Sequence, residues 1–273
     1  MISFVIPAYN EERLLGATLQ ALHAAARTLA EPYELIVVDD ASTDGTAAVA
    51  RAHAARVVAV NNRQIAATRN AGARVANGAM LVFVDADTLV DATVLRAAIA
   101  ALRAGAVGGG AGFRLDGDLP LWARVTTPAL AWIFRRMRLA AGCFVFCWRS
   151  AFAASGGFDE RLFASEELAF SGALKRQGRF VVLREAVLTS GRKARMLSGL
   201  QTLCLLLRLA WRGPAAVRQR EGLELWYGSQ REPPTPYASM SSCDHRGTPA
   251  EPPAEPPARA AAPLGSAPSN SRG

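Results

Sequence analysis

The chain has 273 residues, of which 51% are hydrophobic and 20% charged, and a formal net charge of +8. This length suits one large α/β domain or two small ones with a sizeable core. The charge is almost all arginine, Lys175 and Lys193 being the only lysines. It comes without aromatic–basic interleaving, a zinc pattern or a recognition-helix signature, so no nucleic acid partner is expected. An anionic membrane surface or a phosphorylated substrate fits such a charge equally well.

Ile2 to Ile6 reads as a first buried strand and Pro7 to Glu12 as the polar loop after it. A helix is expected from about Glu12 to Leu29, with Leu14, Leu15, Leu19 and Leu22 as its apolar stripe. Glu34 to Val38 is a second buried strand ending in Asp39-Asp40, and Ala41 to Gly45 a turn with capping residues that leads into a helix. Arg56 to Val60 is a third strand. Gln64 to Ala76 is a helix stopped at Asn77-Gly78.

Met80-Leu81-Val82-Phe83-Val84 then runs straight into Asp85-Ala86-Asp87-Thr88, and a helix follows from about Asp91 to Ala104. An unbroken apolar run of this length predicts a strand covered on both faces. In extended backbone, residues two apart point the same way, so Asp85 and Asp87 can face one point beyond the strand's end. Two hard oxygen donors suit Mg²⁺ or Mn²⁺, which leaves its other positions to phosphate and water. The alternative is that the two aspartates merely end the strand, with Asp87 or Asp91 capping the next helix.

Gly108 to Gly112 does not fit the dinucleotide pattern G-x-G-x-x-G and follows a helix, so close backbone packing is expected there. Leu119 to Arg138 reads as helical, with Trp122, Trp132 and the basic run Arg135-Arg136-Met137-Arg138. Cys143 to Trp148 is a buried strand, Gly156 to Glu160 a turn, Glu166 to Gln177 a helix and Phe180 to Leu183 a short final strand. Cys143 and Cys147 lack the second pair or nearby histidine of a zinc site, which fits core thiols in a reducing compartment; Cys204 and Cys243 stand apart.

Leu197 to Trp211 is too short to span a bilayer and carries Arg208. It suits a helix packed on the domain or lying in a membrane interface. From residue 233 onward, prolines dominate, charges cancel and large apolar residues are scarce, so a disordered tail is expected over 233–273. The amino terminus enters a strand with no charged n-region, apolar segment and cleavage site, which points to a cytoplasmic protein.

Strands alternating with helices predict βαβ units in a mostly parallel sheet flanked by helices, with a Rossmann-like first half. Ligands of such sheets bind beyond the carboxyl ends of the strands. Three polar loops share that edge: Tyr9 to Glu12, Asp39 to Asp44 and Asp85 to Thr88.

With Pro7-Ala8-Tyr9-Asn10-Glu11-Glu12, Asp39-Asp40-Ala41-Ser42-Thr43-Asp44-Gly45-Thr46, Thr68-Arg69-Asn70-Ala71-Gly72, Asp85-Ala86-Asp87, Gly156-Gly157-Phe158-Asp159-Glu160 and Glu166-Glu167-Leu168 in this order, residues 2 to 185 resemble the family 2 glycosyltransferases of the GT-A fold. The resemblance implies one domain over 1–232: a nucleotide-sugar half at 1–115, an acceptor half at 116–190 and amphipathic helices at 191–232. It implies an inverting, metal-dependent hexosyltransferase that takes a nucleotide-sugar donor. The acceptor would be a glycan (including cell-envelope polysaccharide), a lipid-linked sugar or a small molecule. The protein would work in the cytoplasm or peripherally at the inner face of the membrane.

By the same resemblance Pro7, Ala8, Tyr9 and Glu11 would line the base and ribose pocket, and Asp40 would accept a hydrogen bond from the base. Arg69 would stand near the donor. Asp85 and Asp87 would hold Mg²⁺ or Mn²⁺, with Asp87 the direct ligand. Glu167 stands where the family's base is commonly an aspartate, with Glu166 as the alternative; both would otherwise simply favour the positive end of their helix. Two rival readings are a sugar-phosphate nucleotidyltransferase, whose glycine- and lysine-bearing phosphate loop is missing at Pro7 to Glu12, and an inactive GT-A binding module.

Overall fold

The structure, a computed structural model, describes residues 1–196. The expected helix at 197–211, the proline-rich tail, Cys204 and Cys243 lie outside those residues.

The elements are β1 (Ile2–Ala8), α1 (Leu15–Arg27), β2 (Tyr33–Asp40), α2 (Thr46–Ala52), β3 (Arg56–Val60), α3 (Ile65–Val75), β4 (Met80–Val84), β5 (Thr88–Leu89), α4 (Ala92–Arg103), β6 (Gly108–Leu115), α5 (Leu121–Met137), β7 (Phe144–Trp148), α6 (Arg149–Ser155), α7 (Glu166–Lys175), β8 (Phe180–Thr189) and α8 (Arg192–Met196). They build one eight-stranded sheet in the order β3-β2-β1-β4-β7-β6-β8-β5. Its first half is wholly parallel, as βαβ units require: β1 pairs with β2 and β4, and β2 with β3. The second half is mixed, with β7 antiparallel to β4 and β6, β5 antiparallel to β8, and β6 parallel to β8.

Strand β4 shows why the apolar run folds this way. Met80, Val82 and Val84 face one core layer, against α1 and α4, whereas Leu81 and Phe83 face the other, against α3 and α7. Period-2 alternation therefore buries every residue of the strand, because both faces are covered. Phe83 also meets Phe158 (ring centroids 5.0 Å apart) and Phe170 (6.4 Å), which ties the two halves together beneath the cleft.

The glycine run forms strand β6 in the middle of the second half. A Cβ on Gly109 would stand 2.3 Å from the Val181 carbonyl oxygen, and one on Gly110 would stand 2.6 Å from the Ala140 Cβ. Close backbone packing is thus its role, although the expected pattern named no strand there. Strand β8 runs to Thr189, well past the expected Leu183, because its second half continues along β6 after a register shift and then takes β5 as a partner.

Candidate active site

The three polar loops converge at the carboxyl ends of β1, β2 and β4. The Asn10 N–H donates to Ser42 Oγ (3.0 Å), the Thr43 N–H to Asn10 Oδ1 (2.8 Å), the Glu11 N–H to Thr46 Oγ1 (2.8 Å) and the Gly45 N–H to Glu12 Oε2 (2.8 Å). Asn10 and Ala41 sit in the left-handed region at φ 52° and 59°, one in each tied loop. Backbone held there in non-glycine residues is strained, and such strain concentrates at binding sites. On the third loop, Thr18 of α1 donates its hydroxyl to the Ala86 carbonyl (2.9 Å), and the Asp85 N–H donates to Cys143 (3.3 Å).

Pro7 and Ala8 are the last residues of β1, in register with Val38 and Asp39. Tyr9 follows them, and the Arg63 guanidinium lies 4.0 Å from its ring centroid, so one aromatic face already carries a cation. Asp40 is buried, and its two oxygens accept the Asn62 N–H (2.7 Å), the Arg63 N–H (2.8 Å), the Gln64 N–H (3.2 Å) and the Thr68 hydroxyl (2.9 Å). Those four donors use the lone-pair sites of a carboxylate, which makes Asp40 the cap of the turn into α3. Asp39, beside it, accepts one N–H, from Ser42 (3.2 Å).

Arg69 lies beneath the cleft, only 2% exposed, rather than beside it. Its guanidinium donates to Asp85 Oδ1 (2.8 Å), the Gly142 carbonyl (2.9 Å) and Glu166 Oε1 (2.6 Å). A planar fork of fixed donors is what three acceptors in these directions require. Burial of Arg69 opposes its charge, and Asp85 and Glu166 restore it, so its pKa ends above the ordinary value. Glu166 is thereby committed to an ion pair. Glu167, half-buried, packs beside the same group: a Cβ on Gly142 would lie 3.4 Å from Arg69 Nη2 and 3.5 Å from Glu167 Cδ. Burial first, and then the Glu166 charge, push the Glu167 carboxyl up to about 8. Ser165, at φ 62°, sets the turn that aims both glutamates inward.

Arg192, at the start of α8, was not anticipated as a site residue. Its guanidinium grips both Glu11 oxygens (2.5 and 2.9 Å) and reaches Asp87 Oδ2 at 3.1 Å. Burial pushes the Asp87 carboxyl up to about 6, with Arg192 opposing the shift. A nonlocal contact 181 residues from Glu11 leaves no short-range sequence signal. The one available hint is the basic cluster Arg192-Lys193-Ala194-Arg195 directly after the last strand.

The donor set fits Mg²⁺ or Mn²⁺. Asp85 keeps a third of its side chain exposed. Arg192 shows that the ground between Glu11 and Asp87 accepts a cation. Among the described residues no group of three or more His, Cys, Asp or Glu converges as a metal cage, so protein donors would be the two aspartates, with phosphate and water completing the shell. Cys143 and Cys147 are buried, with burial raising both thiols far above their usual range, which makes them packing residues.

A parallel half-sheet whose strand ends carry a carboxylate-lined cleft, joined to a mixed half with an acidic helix start, defines the nucleotide-diphospho-sugar transferase (GT-A) class of fold. The chain belongs to glycosyl transferase family 2, whose family model matches residues 3–158. Validoxylamine A glucosyltransferase of Streptomyces hygroscopicus subsp. limoneus is 36% identical over 107 residues, 37% of this chain and 23% of that protein. An uncharacterized glycosyltransferase of Mycobacterium tuberculosis (strain H37Rv) is 35% identical over 136 residues, 49% of this chain and 59% of its own. The matched part thus spans 23% and 59% of these two relatives. Among solved structures, Staphylococcus aureus TarS 1–349 in complex with UDP superposes with a TM-score of 0.56 at 20% identity, covering 69% of this chain and 60% of that one. Glucosyl-3-phosphoglycerate synthase of Mycobacterium tuberculosis, in complex with Mn²⁺, UDP and glucosyl-3-phosphoglycerate, gives 0.54 at 19%, covering 77% of each chain. At such identities the likeness is one of fold.

Proposed function

We propose that this chain is an inverting, divalent-metal-dependent glycosyltransferase that moves a sugar from a nucleoside diphosphate to an acceptor hydroxyl. Family membership supports the reaction class. The observation that carries the mechanism is the buried Arg69 relay, which holds the metal-motif carboxylate Asp85 and the helix start bearing Glu167 in one hydrogen-bonded unit. TarS with UDP and glucosyl-3-phosphoglycerate synthase with Mn²⁺ and UDP lend support by fold analogy.

In this reading residues 1–115 hold the donor and 116–190 the acceptor. Pro7, Ala8, Tyr9 and Glu11 line the base and ribose side. Asp40 shapes that side through the turn it caps, and Asp39 is the better-placed acceptor for a base N–H. Asp85 and Asp87 would hold Mg²⁺ or Mn²⁺, which would offset the negative charge on the departing diphosphate. Arg192 pairs with Glu11 and Asp87 in this structure, so a cation on Asp87 would share or displace that contact. Glu167 takes the proton of the acceptor hydroxyl while that oxygen bonds to the anomeric carbon and the bond to the diphosphate breaks. Such a base contributes about 10²–10⁴-fold. Arg69 positions Asp85 and Glu166, and Glu166 is spent on that ion pair.

The acceptor, whether glycan, lipid-linked or small, is met on the cytoplasmic side, in solution or at the membrane. A screen of UDP-, GDP- and TDP-sugars for transfer or hydrolysis tests the proposal. Turnover of one donor, dependent on Mn²⁺ or Mg²⁺ and abolished in Glu167→Gln, is expected. Nucleotide binding with no turnover of any donor would instead make the chain a binding module.

A further inference from the structure

Helix α5 is turned inside out for a water-facing helix. Ala123 is its buried residue, and Phe134 meets Phe113 of β6 edge-on at 6.3 Å, so its inner stripe is narrow. Leu121, Val125 and Trp132 recur at spacings of four and seven, which puts them on one face. That face points outward: they are 76%, 67% and 65% exposed. At about 1.5 Å per residue this stripe, from Leu121 to Trp132, runs over roughly 16 Å of the helix. Water-facing surfaces rarely leave so continuous an apolar strip uncovered.

The charge of the helix says what covers it. Residues 121–138 hold Arg124, Arg135, Arg136 and Arg138 and no acidic residue. None of the four arginines enters an ion pair among the described residues. A second basic element, α8, is fastened to the approach of α5 by Arg195, which donates to the Asp116 carbonyl (2.9 Å), and it exposes Met196. Apolar side chains with a tryptophan, bordered by arginines that have no ion-pair partner among the described residues, match the headgroup boundary of an anionic bilayer.

We infer that α5 docks on an anionic lipid surface, lying in its plane with Leu121, Val125 and Trp132 inserted and the arginines at the headgroups. Among the described residues no helix is long and apolar enough to cross a membrane, so this is a peripheral contact. Four residues beyond Arg138, the Gly142 carbonyl already touches Arg69. Docking therefore holds the acceptor side of the cleft close to the lipid, within reach of a lipid-borne acceptor. That last consequence rests on the proposed transfer; the docking does not.

The test is sedimentation of the full chain with vesicles of phosphatidylglycerol and phosphatidylcholine, against phosphatidylcholine alone. Leu121→Asp/Trp132→Asp is compared with Arg124→Glu/Arg136→Glu and the unaltered protein, with nucleotide binding and oligomeric state measured on each. Salt-sensitive pelleting with anionic vesicles is expected, reduced about tenfold or more in both double variants. Intact nucleotide binding in those variants separates a failure of docking from a failure of the site. Variants that pellet like the unaltered protein, or an unaltered protein that stays in solution, would overturn the inference. So would an α5-dependent dimer in vesicle-free solution, which would assign the face to a second copy.

Discussion

Arg69 carries more of the cleft than any other single side chain, since a carboxylate from the turn after β4 and one from α7 both close on it. Removing one member of a buried pair leaves the other charged and unpaired, which costs about 3–5 kcal/mol. Arg69→Met should therefore lower the unfolding free energy measured in urea by that amount, and Arg69→Lys should recover only part of it because an ammonium cannot serve three fixed acceptors. Glu167 behaves differently. The native carboxyl keeps its proton up to about 8, against 4.5 for an unperturbed glutamate. Between those values the native state binds more protons than the unfolded one, so its contribution to stability falls as pH rises. Glu167→Gln should show a melting-temperature advantage that grows from pH 5 to pH 8, then levels off. Its transfer rate should drop about 10²–10⁴-fold with nucleotide affinity kept. In the unaltered enzyme kcat/KM should climb with pH towards that same value; a flat profile would move the base elsewhere. The carboxylates at 85 and 87 stood out because they end the apolar run, but the expected extended geometry does not hold. Strand β4 stops at Val84 and the chain turns over 85–87, the Thr88 N–H donating to the Asp85 carbonyl (3.1 Å), so Asp85 meets Arg69 and Asp87 meets Arg192. The pairing of Arg69 and the contacts of Arg192 were not legible, because they are set by residues 97 and 181 positions away.

At the scale of elements, α3 is the hub. Thr68 bonds Asp40, Arg69 reaches Asp85 and Glu166, and Asn70 zips onto the Phe158 backbone through both its amide nitrogen (2.9 Å) and its oxygen (2.9 Å). Gly72 lets the helix lie flat on the sheet, since a Cβ there would stand 2.4 Å from Val5 Cγ1 and 2.7 Å from Val38 Cγ2. Gly72→Ala should accordingly destabilise by about 1–3 kcal/mol in chemical denaturation and weaken nucleotide binding as the helix is pushed off β1 and β2. The pattern at 68–72 could be placed on a helix from periodicity alone, but its partners Asp40, Asp85, Phe158 and Glu166 lie on separate segments of the chain. The strands of the parallel half could be read within a residue or two because an apolar run has few other destinations. The antiparallel arrangement of β7, and β6 as a strand, could not: an apolar run carries no direction, and glycine carries no alternation.

For the molecule as a whole, the division of labour follows the sheet. The parallel half gathers three strand ends at one edge, and the mixed half brings an acidic helix start against them through a shared aromatic core. The central claim is that Asp85 and Asp87 grip a cation that in turn grips the donor's diphosphate. Thermal unfolding with UDP or GDP, each with and without Mn²⁺, tests it most directly, in the unaltered chain and in Asp87→Ala. At about 100 times its dissociation constant, nucleotide should add roughly 2.7 kcal/mol to the unaltered protein when Mn²⁺ is present. Asp87→Ala should show none of the Mn²⁺-dependent part; the same metal-dependent gain in both proteins would contradict the account.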